Sequence, residues 1–127
     1  MEFPEFTISI KGISKPDNFP IDRFMGEDVA KWIRSKLTDF ETFDCEEDWG
    51  WYLSINNNGY CVIVGIYDYL NDVNGKSVWG IRTFDSFSFR GLLNRKIERI
   101  RKTEIVSRIV FVLNNDADVD YKDDKIE

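Results

Sequence analysis

The chain is predicted to fold as α+β: an antiparallel β-sheet around a central three-stranded meander, with two helices packed on it, in the order β-α-β-β-β-α-β. Three observations predict this. Two Asn-Gly dipeptides, Asn58-Gly59 and Asn74-Gly75, punctuate runs rich in Val, Ile, Trp and Tyr, and Asn-Gly is the natural loop of a two-residue hairpin because it tolerates φ > 0 at both central positions. A stretch of helical period stands on each side of those runs. The 127 residues are 43% hydrophobic, enough for one domain over 1–127 with a single core of ordinary size.

In chain order, Phe6, Ile8 and Ile10 alternate with Thr7, Ser9 and Lys11 and are ended by Gly12, the period-two mark of a half-buried strand. Ile13 to Asp22 holds Pro16 and Pro20 without a period and reads as a surface connection. From Gly26 to Phe40 the period changes. Val29, Trp32, Ile33, Leu37 and Phe40 recur three and four apart, with Glu27 and Asp28 in a first turn where the helix dipole favours anions. This is a core-packing amphipathic helix.

Asp39 to Asp48 carries Asp39, Glu41, Asp44, Glu46, Glu47 and Asp48 with no Lys or Arg, and leads into Trp49-Gly50-Trp51. Such a charge run reads as a solvated loop. Its place beside large aromatics also matches a binding surface of aromatic anchors with a charged rim.

If Asn58-Gly59 form the first hairpin loop, Asn57 faces Tyr60, and counting outward pairs Ile55 with Val62, Leu53 with Val64 and Trp51 with Ile66 on one apolar face. The other face pairs Ser54 with Ile63, Tyr52 with Gly65 and Gly50 with Tyr67, so tyrosines cover glycine gaps. The same count from Asn74-Gly75 sets Tyr69 opposite Gly80, Tyr67 opposite Arg82 and Gly65 opposite Phe84. On the apolar face it sets Asp68 against Ile81 and Leu70 against Trp79. Tyr67 is then expected to stack near Arg82 as a cation-π pair.

Beyond the meander, Phe84, Phe87 and Phe89 lead into Arg90 to Arg108, where seven Lys and Arg stand against Glu98 and Glu104. Ile97, Ile100, Ile105, Val106, Ile109, Val110 and Leu113 recur at helical spacing, and the segment reads as helix, although Ile109 to Leu113 is β-branched enough for a strand. Its basic surface suits solvent, or pairing with the acidic segments, better than RNA. The end, with Val119, Tyr121 and six acids against Lys122 and Lys125, reads as a short edge strand and a frayed tail.

Composition narrows function. There is no histidine, which excludes Ser-His-Asp and Cys-His nucleophiles, Cys2His2 zinc and His-containing metal triads. A net charge of -6 repels phosphate backbones and anionic lipid, so neither nucleic acid nor membrane is expected as a partner. No apolar run approaches the ~18 residues of a membrane span, and MEFPEFTISIKG lacks a signal-peptide pattern. A cytoplasmic setting follows, with Cys45 and Cys61 as reduced thiols.

Asp116, Asp118, Asp120 and Glu127 match calcium-loop positions, but Tyr121 occupies the place that requires Gly, so no metal is expected there. Gly75-Lys76-Ser77 echoes a phosphate loop, but Leu70 stands where its leading Gly must be. Glu46, Glu47 and Asp48 could hold an acid and base pair beside tryptophan, although no second polar cluster converges on them.

The element order, with EDWGW at Glu47 to Trp51, resembles small single-domain bacterial proteins that include immunity proteins of contact-dependent and polymorphic toxin systems. The resemblance implies an acidic, non-catalytic protein without cofactor that neutralises a toxin, often a basic nuclease, by covering its active site. The residues expected at such a partner surface are Asp44, Glu46, Glu47, Asp48 and Trp49 in the acidic segment, with Tyr52, Tyr67 and Arg82 on the tyrosine-glycine face. The alternative is a carboxylate-based enzyme or small-ligand domain using Glu46 to Asp48 with the nearby tyrosines.

Overall fold

The computed structural model describes residues 3–13, 26–47, 50–73, 76–86 and 92–123, with backbone alone for 44–47 and 69–73. In chain order these residues form β1 (Glu5–Lys11), α1 (Glu27–Lys36), β2 (Glu41–Glu47), β3 (Gly50–Asn57), β4 (Tyr60–Val73), β5 (Lys76–Asp85), α2 (Arg95–Asn115) and β6 (Val119–Asp123). The strands make one six-stranded sheet in the order β2-β3-β4-β5-β1-β6, antiparallel throughout. The expected α+β class is present, and so is the meander, as β3, β4 and β5. The sheet also holds a strand that the expected order lacked. β2 occupies the acidic run read as a solvated loop, because the free edge of β3 offers a full ladder of backbone partners from Glu41↔Asn56 to Glu47↔Gly50. The strand was illegible because acids fall on both of its alternating residue sets, leaving no apolar period to detect.

The first hairpin has the expected register, with Asn57↔Tyr60, Ile55↔Val62, Leu53↔Val64 and Trp51↔Ile66. Its turn has φ 55° at Asn58 and 92° at Gly59, the two positive values a type I′ loop demands. In the second hairpin, Asn74 and Gly75 lie outside the described residues, while Val73↔Lys76 and Asp72↔Ser77 keep the register of a loop at those positions. An irregularity between Asp68 and Asp72 then shifts the pairing. Tyr67 stands opposite Gly80, Gly65 opposite Arg82, Ile66 opposite Ile81 and Asp68 opposite Trp79. The expected pairs Tyr67–Arg82, Gly65–Phe84, Asp68–Ile81, Tyr69–Gly80 and Leu70–Trp79 are therefore corrected. Between Asp68↔Trp79 and Asp72↔Ser77 β4 advances four residues while β5 advances two, and the bulge absorbs this surplus of two. The displacement is even, so each residue keeps its face of the sheet while changing its neighbour.

One face carries the core. Leu53, Ile55, Val62, Val64, Ile66 and Ile81 are each 0% exposed. Phe6, Ile8 and Ile10 of β1 join them, as the period-two alternation requires. Both helices lie on this face: α1 presents Val29, Ala30 and Ile33, and α2 presents Ile105, Val106, Ile109 and Leu113. α1 stops at Lys36, four residues short of the expected end, with the Leu37 N–H closing onto the Arg34 carbonyl at 3.2 Å. It starts at Gly26, whose φ is 117° and where a Cβ would come within 3.3 Å of Ile66 Cγ2, so glycine is required on both counts. α2 runs unbroken through Ile109 to Leu113, as read. Asn94 caps its start, with Oδ1 accepting from the Ile97 N–H at 3.3 Å.

Candidate functional site

The described helices share one face of the sheet, and among the described residues the opposite face is formed by the sheet's own side chains. Three cross-strand rows define it. Phe43, Ser54, Ile63 and Phe84 make the first. Tyr52, Gly65, Arg82 and Glu5 make the second, and Tyr67, Gly80 and Thr7 the third. Gly65 and Gly80 are buried although they lie on this open side, and each has a tyrosine as its cross-strand neighbour, the arrangement in which an aromatic ring fills a glycine gap. Tyr52 and Tyr67 are half-buried, whereas Phe43 is 63% exposed.

Tyr52, Tyr67 and Arg82 are thus brought onto one face, as the sequence suggested, but with different contacts. Arg82 does not stand opposite Tyr67: its guanidinium lies 5.1 Å over the Phe84 ring, and its Nε is 3.1 Å from Glu5 Oε1. Asp44, Glu46 and Glu47 fall on β2, in register with Leu53, Trp51 and Gly50. Asp48 and Trp49 lie outside the described residues. β2 is one edge strand of the sheet, so a strand whose charged residues are all acidic borders the aromatic face. Sequence reading sets Ile63 opposite Ser54 on this face, as found, but misses Phe43 as a member of it. Its signal was the register itself, since Phe43 can be placed only once β2 is known to pair with β3.

The second feature missed is Lys102, taken as one more charge on a basic surface. It is 1% exposed. Its Nζ is ion-paired with Asp85, donates to the Ser86 carbonyl at 2.6 Å, and lies 3.6 Å from Glu98 Oε2. A buried ammonium needs this full set of oxygens to offset its lost hydration. The node fastens α2 to the end of β5. Asn57, 7% exposed, adds a second tie by donating to the Arg101 carbonyl at 2.9 Å and to Glu104 Oε2 at 3.2 Å.

Two acids of the calcium-loop pattern, Asp116 and Asp120, are engaged within the protein, and Glu127 lies outside the described residues. Asp116 Oδ1 accepts from the Asp118 N–H at 2.8 Å, and Asp120 Oδ2 meets Lys76 Nζ at 2.9 Å. Among the described residues no group of three or more His, Cys, Asp or Glu is placed to hold a metal ion. Cys61, a free thiol, lies 2.9 Å from Ser54 Oγ on the open face. No helix among the described residues is long and apolar enough to cross a membrane.

No family model, curated protein or solved structure matches this chain. What the surface can do therefore follows from its chemistry. Flat aromatic and aliphatic groups beside an acid-rich edge suit adhesion to another macromolecule.

Proposed function

We propose that this protein is a non-catalytic binding domain, an immunity protein that neutralises a cognate bacterial toxin by direct contact in the cytoplasm. The observation that carries the reading is the juxtaposition of an edge strand with four acids and no cation, Glu41–Glu47, with an aromatic sheet face that no helix among the described residues covers. Charges on an edge strand discourage pairing with further strands, and a dense acidic rim speeds capture of a basic partner. A nuclease cleft is basic because it attracts phosphates, and the run from Asp44 to Asp48 mimics that polyanion. The EDWGW motif at Glu47 to Trp51, with its resemblance to immunity proteins, supports the same reading.

Co-expression with the toxic domain of an adjoining gene tests it. Growth rescue and a stoichiometric complex are expected. Neutralising Glu46→Gln, Glu47→Gln and Asp48→Asn together should slow association by about tenfold at low salt and flatten its salt dependence. Unchanged association kinetics would rule the acidic segment out as the recognition surface. A metabolic gene neighbourhood, with no toxin and no complex, would favour a carboxylate enzyme or small-ligand domain instead.

A further inference from the structure

Helix α2 is apolar on two sides. Its inner stripe, Ile105, Val106, Ile109 and Leu113, is buried in the core. On the outer side Ile97, Ile100 and Phe111 are 41%, 50% and 55% exposed, and Leu93, which precedes the Asn94 cap, is 88% exposed. Positions 97, 100, 104, 107 and 111 are spaced alternately three and four apart, the period of a seam that receives another helix. Of these, Glu104 and Ser107 are polar. Phe40, in the link between α1 and β2, forms a wall alongside, leaving a groove of about 670 Å³ lined by Ile100, Arg108 and Phe111. Isolated exposed apolar residues need no explanation, but Ile97, Ile100 and Phe111 along one helix face beside a groove do.

We infer that the outer face of α2 is a docking seam for an acidic amphipathic helix of a partner protein. The charge beside the stripe decides the occupant. Lys96, Arg99, Arg101 and Arg108 flank it. Among the described residues Lys96 and Arg99 carry no ion pair, while Arg108 Nε is 3.5 Å from Asp39 and its guanidinium lies 5.1 Å over Phe111. Glu104, the acid within the stripe, is already engaged by Arg101 at 3.4 Å and by Asn57 at 3.2 Å, so it offers little repulsion to an incoming anion. A second copy of α2 would set this basic rim against itself, which disfavours self-association. A bilayer fits less well, because the groove is concave and Glu104 would be carried into the interface. A helix with apolar residues at three-four spacing and flanking acids satisfies both the shape and the charge. This surface is on the helix side of the sheet, away from the aromatic face, and does not depend on the function proposed for that face.

The test uses the full chain and two fluorescein-labelled peptides of about three heptads, with Leu at the seam positions and flanking residues all Glu in one and all Lys in the other. Anisotropy titration should give saturable binding of the Glu peptide, at least about tenfold tighter than the Lys peptide. Ile100→Asp should weaken it by about tenfold or more. Arg99→Glu should narrow the preference between peptides, with circular dichroism unchanged in both variants. Failure of the Glu peptide to bind, equal binding of the two peptides, or indifference to Ile100→Asp would overturn the proposal. So would a homodimer dissolved by Ile100→Asp, or tighter binding to phosphatidylserine vesicles than to the Glu peptide.

Discussion

The two faces of the sheet share one hydrogen-bonded ladder and differ in almost everything else. On the core face the rows Leu53–Val64–Thr83 and Trp51–Ile66–Ile81 are aliphatic at their centre and enclosed except at the half-buried Trp51. On the open face the rows Tyr52–Gly65–Arg82 and Tyr67–Gly80 alternate a large ring with no side chain at all. The difference teaches where stability and recognition reside. Close-packed branched side chains under two helices bury the most apolar area, whereas rings lying beside glycines stay half in contact with solvent and present a flat surface to a partner.

Mutations should separate the faces by size of effect. The largest loss is expected on the core face, where Leu53→Ala or Ile81→Ala should cost about 3 to 4 kcal/mol, as a cavity opens under the helices. Urea denaturation would read this as a lower midpoint at constant slope. Lys102→Ala, which leaves Asp85 and Glu98 without their cation, should cost about 2 to 3 kcal/mol, since both carboxylates keep some solvent. Lys102→Met, which keeps the buried stem, should lose less. If the methionine variant proved the worse of the two, packing rather than charge would hold α2 to β5.

On the open face, Tyr52→Ala and Tyr67→Ala should each cost about 1 kcal/mol, well below the core values. Core-sized losses at both tyrosines would erase the contrast and argue against a binding platform. Gly59→Ala, at φ 92°, should cost about 1 kcal/mol through strain in the type I′ turn. The smallest effect is expected at Arg82→Ala. Its pair with Glu5 is 48% and 32% exposed on the two side chains, and such a pair contributes about 0.5 kcal/mol. Thermal melts in low and high salt would resolve it, with the difference shrinking as salt screens the pair.

Local chemistry made much of this fold legible. Asn58-Gly59 admits one tight turn, and a two-residue loop dictates every pairing outward to Trp51 and Ile66. The alternation of Phe6, Ile8 and Ile10 and the helical spacing of Val29, Ile33 and Leu37 likewise declare which side faces the core, because burial repeats with the backbone's own period. Tyr52, Tyr67 and Arg82 could be assigned to one face for the same reason. Only the tertiary structure decided the rest. The bulge between Asp68 and Asp72 sets an advance of four residues in β4 against two in β5, so the partners of Tyr67 and Arg82 could not be counted from the turn. β2 becomes a strand because β3 has an open edge, and nothing within ETFDCEE reports that. β1 sits between β5 and β6 because distant segments compete for the same edges. Lys102 reads in sequence like its basic neighbours. It is buried because Asp85 and Ser86 arrive from β5 to meet it, and a charge enters a core only where another part of the chain supplies its oxygens.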